Sequence, residues 1–192
     1  GYKLAACDIE MAAFIMPGLG GRQEEFSDHI TRTTEVLNTI RPAEVRVRSL
    51  AIVEGSPLYE RWKSGSFHSP TEEQMIDEIG CLVEQLGFDC ELETLQMTNT
   101  LFSFRGRLLP HREALLEKIA WFKAMPEHER AKALLERCTD GGYLDFVSSW
   151  GKYDGTIMRL VEEATRSIEQ NSPDALAKTN VALFAIKSKG IP

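Results

Sequence analysis

The stretch FIMPGLGGRQEEF, residues 14–26, decides how the first half of the chain is read. An apolar run stops at Pro17, glycines stand at 18, 20 and 21, and an acidic, helix-like segment begins. Upstream, IEMAAFIM (9–16) is a short, nearly continuous apolar run and predicts a buried strand. Downstream, Phe26, Ile30, Thr33, Leu37 and Ile40 recur at spacings of three and four, which predicts a helix over 23–40 closed by Pro42. Glu24 and Glu25 fall in its first turn, where the helix dipole favours negative charge.

The next segment, EVRVRSLAIV (44–53), sets Val45, Val47 and Ser49 against Arg46, Arg48 and Leu50, the two faces of a second strand. A turn at Gly55-Ser56-Pro57 and a short helix, PLYERWKSG, follow. Ser69-Pro70-Thr71-Glu72 offers an N-cap serine, a proline at the first helical position and a capping-box glutamate. Met75, Ile79, Leu82, Val83 and Leu86 then form an apolar face, with Gly87 placed for a left-handed C-cap. Residues 89–96 read as a third strand. Alternation of strand and helix predicts an α/β fold with parallel strands and right-handed crossovers.

After residue 98 the character changes. TNTLFSFRGRLLP reads as an ordered loop around Gly106, and the periodicity beyond it is helical over 111–124, 126–138, 154–170 and 173–188, broken by TDGGYLDF. The expected organisation is an α/β part, 1–108, and a helical extension, 109–192. The opening GYKLAACDIE reads as nearly inside a strand pattern, and three parallel strands leave two open edges. The expectation is therefore half of a sheet or barrel, with its missing strands N-terminal to Gly1.

Composition narrows the function classes. With 192 residues and a formal net charge of -7, the chain lacks the excess of Lys and Arg that a nucleic-acid surface needs. No apolar run has the length of a membrane span, and no signal-peptide pattern is present. Cys7, Cys81, Cys90 and Cys138 are scattered without a C-x-x-C pair, which points to a reducing, cytoplasmic setting.

The glycines at 18, 20 and 21 leave backbone amides open before a helix, a geometry that binds anions or admits a nucleoside. The spacing G-x-G-G lacks both the Walker lysine and the third dinucleotide-fold glycine, so spacing alone reads as a tight turn. Arg46 and Arg48 share one strand face: inside a barrel they need an anionic partner from protein, substrate or cofactor, and near an edge they pair with surface acids. Glu54, after the second strand, could hold a hydroxyl or amine, or cap the next helix. His29, His68, His111 and His128 have no metal-ligand spacing and read as solvent-facing or capping. The pairs Glu72-Glu73 and Glu162-Glu163 read as solvated helix faces.

Taken in order, the strand ending in I-M-x-G-L-G-G, the helix, the R-x-R-x-L strand and the G-S-P-L-Y turn resemble the C-terminal half of a radical SAM catalytic domain. FHSPTEEQMIDEIGCLVEQL and TNTLFSFRGRLLPHREALLEKI resemble its continuation in relatives of the type that includes oxygen-independent coproporphyrinogen oxidases and elongator-type proteins. The resemblance covers residues 8 to about 125. It implies part of a (β/α)6 barrel. There a [4Fe-4S] cluster reduces S-adenosylmethionine to a 5′-deoxyadenosyl radical that abstracts hydrogen from a substrate.

By the same resemblance Met16, Gly18, Gly20 and Gly21 approach the adenine and ribose, and Leu50 packs on the adenine. Arg48 joins them as a cofactor contact. Gly21 stands where the family often carries a glutamate, and the C-x-x-x-C-x-x-C cluster motif occurs nowhere in the chain. The expectation is a piece of a radical SAM enzyme that is inactive alone and acts with its other half on a small-molecule or unknown substrate. The competing expectation is a non-catalytic binding module that dimerises through its open sheet edge. A third is a metal-free enzyme built on Glu54, Arg48 and the glycine loop.

Overall fold

The computed structural model describes residues 1–21, 25–96, 98–99, 103–139 and 143–189. Four short strands form one sheet in the order β1 (Ala12–Ile15), β2 (Glu44–Val47), β3 (Glu91–Glu93) and β4 (Arg105–Arg107). The first three are parallel, with Ile15 opposite Val47 and Val45 opposite Leu92. Pairing runs past the strand ends: Arg48 N–H donates to the Ile15 carbonyl and Leu50 N–H to the Pro17 carbonyl, both at 2.9 Å. Ile15, Val45, Val47 and Leu92 are buried, and between them Glu44, Arg46, Glu91 and Glu93 point to the other face. That alternation fixes the register, because a one-residue slip would bury the charges.

Most helices fall near their expected positions: α1 (Tyr2–Ala5), α2 (Glu25–Ile40), α3 (Pro57–Lys63), α4 (Glu72–Gln85) and α5 (Leu108–Ala124). They continue as α6 (Glu127–Thr139), α7 (Tyr143–Ser149), α8 (Gly155–Glu169) and α9 (Ala175–Ser188). Of these, α1 and α7 were not expected, and α5 starts earlier than expected. The chain divides into two compact units, residues 1–50 with 73–120 and residues 51–72 with 121–192. The segment 51–72 thus groups with the helical part instead of with the sheet.

In the first unit α2 and α4 lie side by side. Thr34 Oγ1 donates to Gln85 Oε1 at 3.0 Å, and Asn38 Nδ2 donates to the Gln85 carbonyl at 3.0 Å. Strands stepping one way, 1-2-3, with neighbouring crossover helices are wound as a segment of a singly wound α/β sheet. The sheet itself is open, with four strands.

In the second unit Leu135, Ala164 and Ala182 bring α6, α8 and α9 together, flanked by Leu160, Val161 and Ile168. Trp62 of α3 packs on Phe184 of α9 with ring centroids 4.5 Å apart.

Several expectations are corrected. The start of the chain is a helical turn, α1, and not strand-like. The stretch 98–108 contains a strand: β4 runs antiparallel to β3 and occupies the edge expected to be open. At Gly106 a Cβ would meet the Phe104 ring at 3.2 Å, so any side chain there would have to push the ring aside. The other edge, β1, has no second neighbour among the described residues.

Gly87 does not adopt the left-handed conformation. Asn38 of α2 instead accepts its N–H at 2.7 Å and closes the end of α4 from outside. Ser69 does not cap α4 either, since its hydroxyl meets the Pro70 carbonyl. The Glu72 N–H goes to Asn180 Oδ1 at 2.9 Å. Nor is Glu72 a solvated or capping residue: it is 5% exposed, and both its oxygens hold Lys187 Nζ, at 2.6 and 2.7 Å. Glu24 and part of the TDGGYLDF break lie outside the described residues; from Tyr143 that break is helical.

Candidate functional site

The carboxyl ends of parallel strands are where α/β folds bind ligands. Here the ends of β1 and β2 place Met16, Gly18, Gly20 and Gly21 beside Arg48 and Leu50, joined by the two backbone bonds that continue the ladder. Met16 is 41% exposed and Arg48 is exposed, whereas Leu50 is buried. The loop is two linked turns, Leu19 N–H to the Met16 carbonyl at 3.3 Å and Gly21 N–H to the Gly18 carbonyl at 3.1 Å. Gly18 (φ 93°) and Gly21 (φ 80°) adopt conformations that a side chain strains. Gly20 does not.

The Gly18 amide already has an anion. Glu78, in the middle of α4 with no exposed surface, accepts it at 2.9 Å through Oε2. His29 of α2 brings Nδ1 to 3.5 Å from the same oxygen. No lysine or arginine pairs with Glu78 among the described residues, and its Oε1 has no hydrogen-bond partner there. Burial pushes the Glu78 carboxyl up to about 7, against a smaller downward pull from the Gly18 N–H. Burial likewise lowers His29 from its ordinary value. The sequence reading assigned His29 to solvent or a cap and passed over Glu78, which falls between apolar positions 75 and 79. The signal was its place: an acid two positions from the centre of an apolar stripe, in a helix crossing behind a glycine turn.

The uncovered face of the sheet is a mosaic of charge. Arg46 Nε sits 2.8 Å from Glu44 of its own strand and 3.7 Å from Glu93 of β3, so its carboxylate partners come from the sheet itself. These contacts lower Glu44 and raise Arg46 relative to their ordinary values, the mutual hydrogen bond being the largest cause. Arg105 pairs with Glu91 at 2.5 Å and Arg107 with Asp89 at 2.7 Å. Arg48 differs. Its guanidinium lies 4.9 Å from the centre of the Phe14 ring, and among the described residues no acid pairs with it. Among the described residues the face therefore presents Arg48 without a counter-charge, at the strand ends.

Behind these ends a buried amide fixes the geometry. Asn99 Oδ1 accepts both the N–H and the hydroxyl of Ser49, at 2.9 and 2.8 Å, while Asn99 Nδ2 donates to the Val47 and Thr94 carbonyls. The sequence shows Asn99 only as part of a loop, because its partners on the second strand, Ser49 and Val47, lie about fifty residues away.

Elsewhere the expected candidates are occupied or scattered. Glu54 is exposed, 3.8 Å from Lys189, which also holds Asp154 at 3.2 Å. His111 Nδ1 meets the Arg107 carbonyl at 2.8 Å. Among the described residues no three His, Cys, Asp or Glu side chains are grouped to hold a metal ion. Burial pushes the Cys90 thiol up to about 11 and Cys138 to about 12, and Cys7 is exposed. These thiols do not fit an iron–sulfur cluster, which takes thiolates converging on one point. Among the described residues no helix is long and apolar enough to cross a membrane. No protein-family model, no curated protein and no solved structure matches this chain.

Proposed function

We propose that this chain supplies the adenosyl-facing side of a radical SAM barrel, its strand-end residues contributing one wall of an S-adenosylmethionine site. The observation that carries the reading is Arg48, which has no acidic partner among the described residues and stands with Met16 and the glycine turn at the ends of two adjacent parallel strands. A guanidinium in that position suits a carboxylate, and S-adenosylmethionine has one at the end away from its nucleoside.

The fit is partial. Met16 and Arg48 face outward and could touch a ligand, whereas the Gly18 amide is taken by Glu78 and Leu50 packs beneath the surface. The cluster ligands are not in the chain, so no chemical step is assigned to these residues. When bound elsewhere in such a barrel, the cluster supplies the electron that cleaves the cofactor. What this chain's residues do in the proposal is bind and orient.

Titration of isotope-labelled protein with S-adenosylhomocysteine tests the wall. Shifts confined to Met16–Gly21 and Arg48, and lost in Arg48→Ala, are the expected result. Silence at millimolar ligand, or shifts centred on another part of the molecule, would count against it. Reading the coding sequence upstream of Gly1 tests the class: a C-x-x-x-C-x-x-C in a βαβ pattern is expected, and a start codon directly before Gly1 would overturn it.

The second reading, a binding module that dimerises, is favoured by β1. Its free edge carries Phe14 at 56% exposure, near the exposed Ile9 and Leu19. A melting temperature that rises with protein concentration would move the conclusion to that reading.

A further inference from the structure

Glu78 presents an unusual combination: a side chain with no exposed surface, no cation beside it, and a backbone amide as its one hydrogen-bond donor among the described residues. Satisfying the Gly18 N–H does not require an acid, because a glutamine oxygen of the same reach would accept it. A buried carboxylate is costly unless it is compensated or can take up a proton. The neighbour that can exchange one is His29, whose Nδ1 lies 3.5 Å away and is itself without a hydrogen-bond partner among the described residues.

We infer that Glu78 is the positioning residue of the Gly18 turn, and that its grip on the turn is set by a proton it shares with His29. This goes beyond the cofactor reading and does not need it: the latch acts on the turn whatever the turn binds. Ionised, the carboxylate makes a charge-assisted bond to Gly18 N–H, stronger and shorter than a neutral one. Protonated, the carboxyl is a weaker acceptor, and its O–H can be offered to the neutral imidazole.

The electrostatic surroundings agree. Burial raises the carboxyl to about 7 and lowers the imidazole, so as pH falls through neutrality the proton settles first on Glu78. From α2 the titratable group facing Glu78 is His29; Asp28 beside it pairs with Arg32 in solvent. The described part of the glycine loop, Met16–Gly21, offers an amide and carries no charged side chain. The charges of β2 and β3, Glu44, Arg46 and Glu93, are engaged with one another on the opposite face, where Arg46 holds both glutamates. On α4 itself, no charged group contributes to the shift of Glu78.

The test follows the Gly18 amide shift and the Glu78 side-chain carboxyl carbon by NMR in the full chain, from pH 5 to pH 9. Both are expected to titrate with one shared midpoint near 7. In Glu78→Gln the Gly18 resonance is expected to stay dispersed and become flat with pH. In His29→Gln the shared transition is expected to persist with a displaced midpoint. A Gly18 titration that survives Glu78→Gln would overturn the inference. So would a Glu78 midpoint near the ordinary 4.5 with Gly18 flat in the wild type. Should Glu78→Gln fail to fold, the two wild-type curves decide alone: a common midpoint supports the latch and separate midpoints refute it.

Discussion

Two glutamates on α4, six positions apart in sequence, are both buried and solve burial in opposite ways. Glu72, at the amino end, closes both oxygens on Lys187 and takes its amide partner from Asn180. Glu78, in the middle, meets an amide and an imidazole and no fixed cation. The first is a permanent counter-charge joining residues 115 positions apart. The second is an acid left free to titrate. Buried charge thus acts as a staple where its partner is a lysine and as a switch where its partner is a proton.

The largest effect is expected from breaking the staple. Lys187→Met leaves Glu72 buried without its cation and should cost about 3–5 kcal/mol in urea unfolding. The double variant Glu72→Gln/Lys187→Met should recover most of that loss. A single variant within 1 kcal/mol of wild type would mean that the pair is no staple.

The next effect sharpens the switch. Because the folded-state value of Glu78 is raised from 4.5 to about 7, the native protein holds a proton that the unfolded chain has released in that window. Its contribution to stability is therefore fully present below about pH 4.5, falls as pH rises, and levels off above about 7. The fall is about 3 kcal/mol, and Glu78→Gln should remove it. His29 acts with the opposite sign: its lowered value makes it a source of instability as pH drops below its ordinary 6.5. Denaturation midpoints at pH 5, 6, 7 and 8 for wild type and both variants separate the two. Parallel curves for wild type and Glu78→Gln would erase the distinction between the two glutamates.

Smaller effects are expected at the parts that hold the comparison in place. Gly18→Ala forces a side chain onto a φ of 93° and should cost about 1–2 kcal/mol. It should also loosen the amide from Glu78, raising the carboxyl midpoint further, which NMR of the carboxyl carbon would show. Asn38→Ala, which uncaps the far end of α4, should cost about 1 kcal/mol and leave both glutamates as they were. A shift in the Glu78 midpoint in that variant would show that the capped end of the helix governs the switch.

What was legible in the sequence was what is local. The strand before Pro17, the helix opened by Pro57, the helical range from 154, and the alternation of Val45 and Val47 with Arg46 all follow from spacing within one or two turns of chain. The parallel order of the first three strands followed from strand–helix alternation. What was not legible depends on partners far away. Nothing within a few residues of Glu72 announces Lys187, and nothing around Gly87 shows that Asn38, 49 positions earlier, will do the work of a left-handed cap. The strand Arg105–Arg107 was hidden because three residues with a central glycine have little strand propensity, and it exists only against Glu91 and Glu93. The candidate ligand residues could be placed at strand ends in advance, but Glu78 as the anion already held by the glycine turn could not.

The interleaving of the two units has a consequence for the birth of the protein. Residues 51–72 find their partners in α9, where Glu54 N–H meets the Ser188 carbonyl and Glu72 meets Lys187. During synthesis at about 5–20 residues per second, Glu72 therefore waits on the order of ten seconds for its lysine to be made. Through that interval Trp62, which Tyr59 flanks, is without Phe184, the ring it later packs on. The sheet of the first unit needs only residues up to 120 and can consolidate in the meantime. In order of synthesis, every described residue of the first unit is therefore made before α9, whose side chains complete the contacts of residues 51–72.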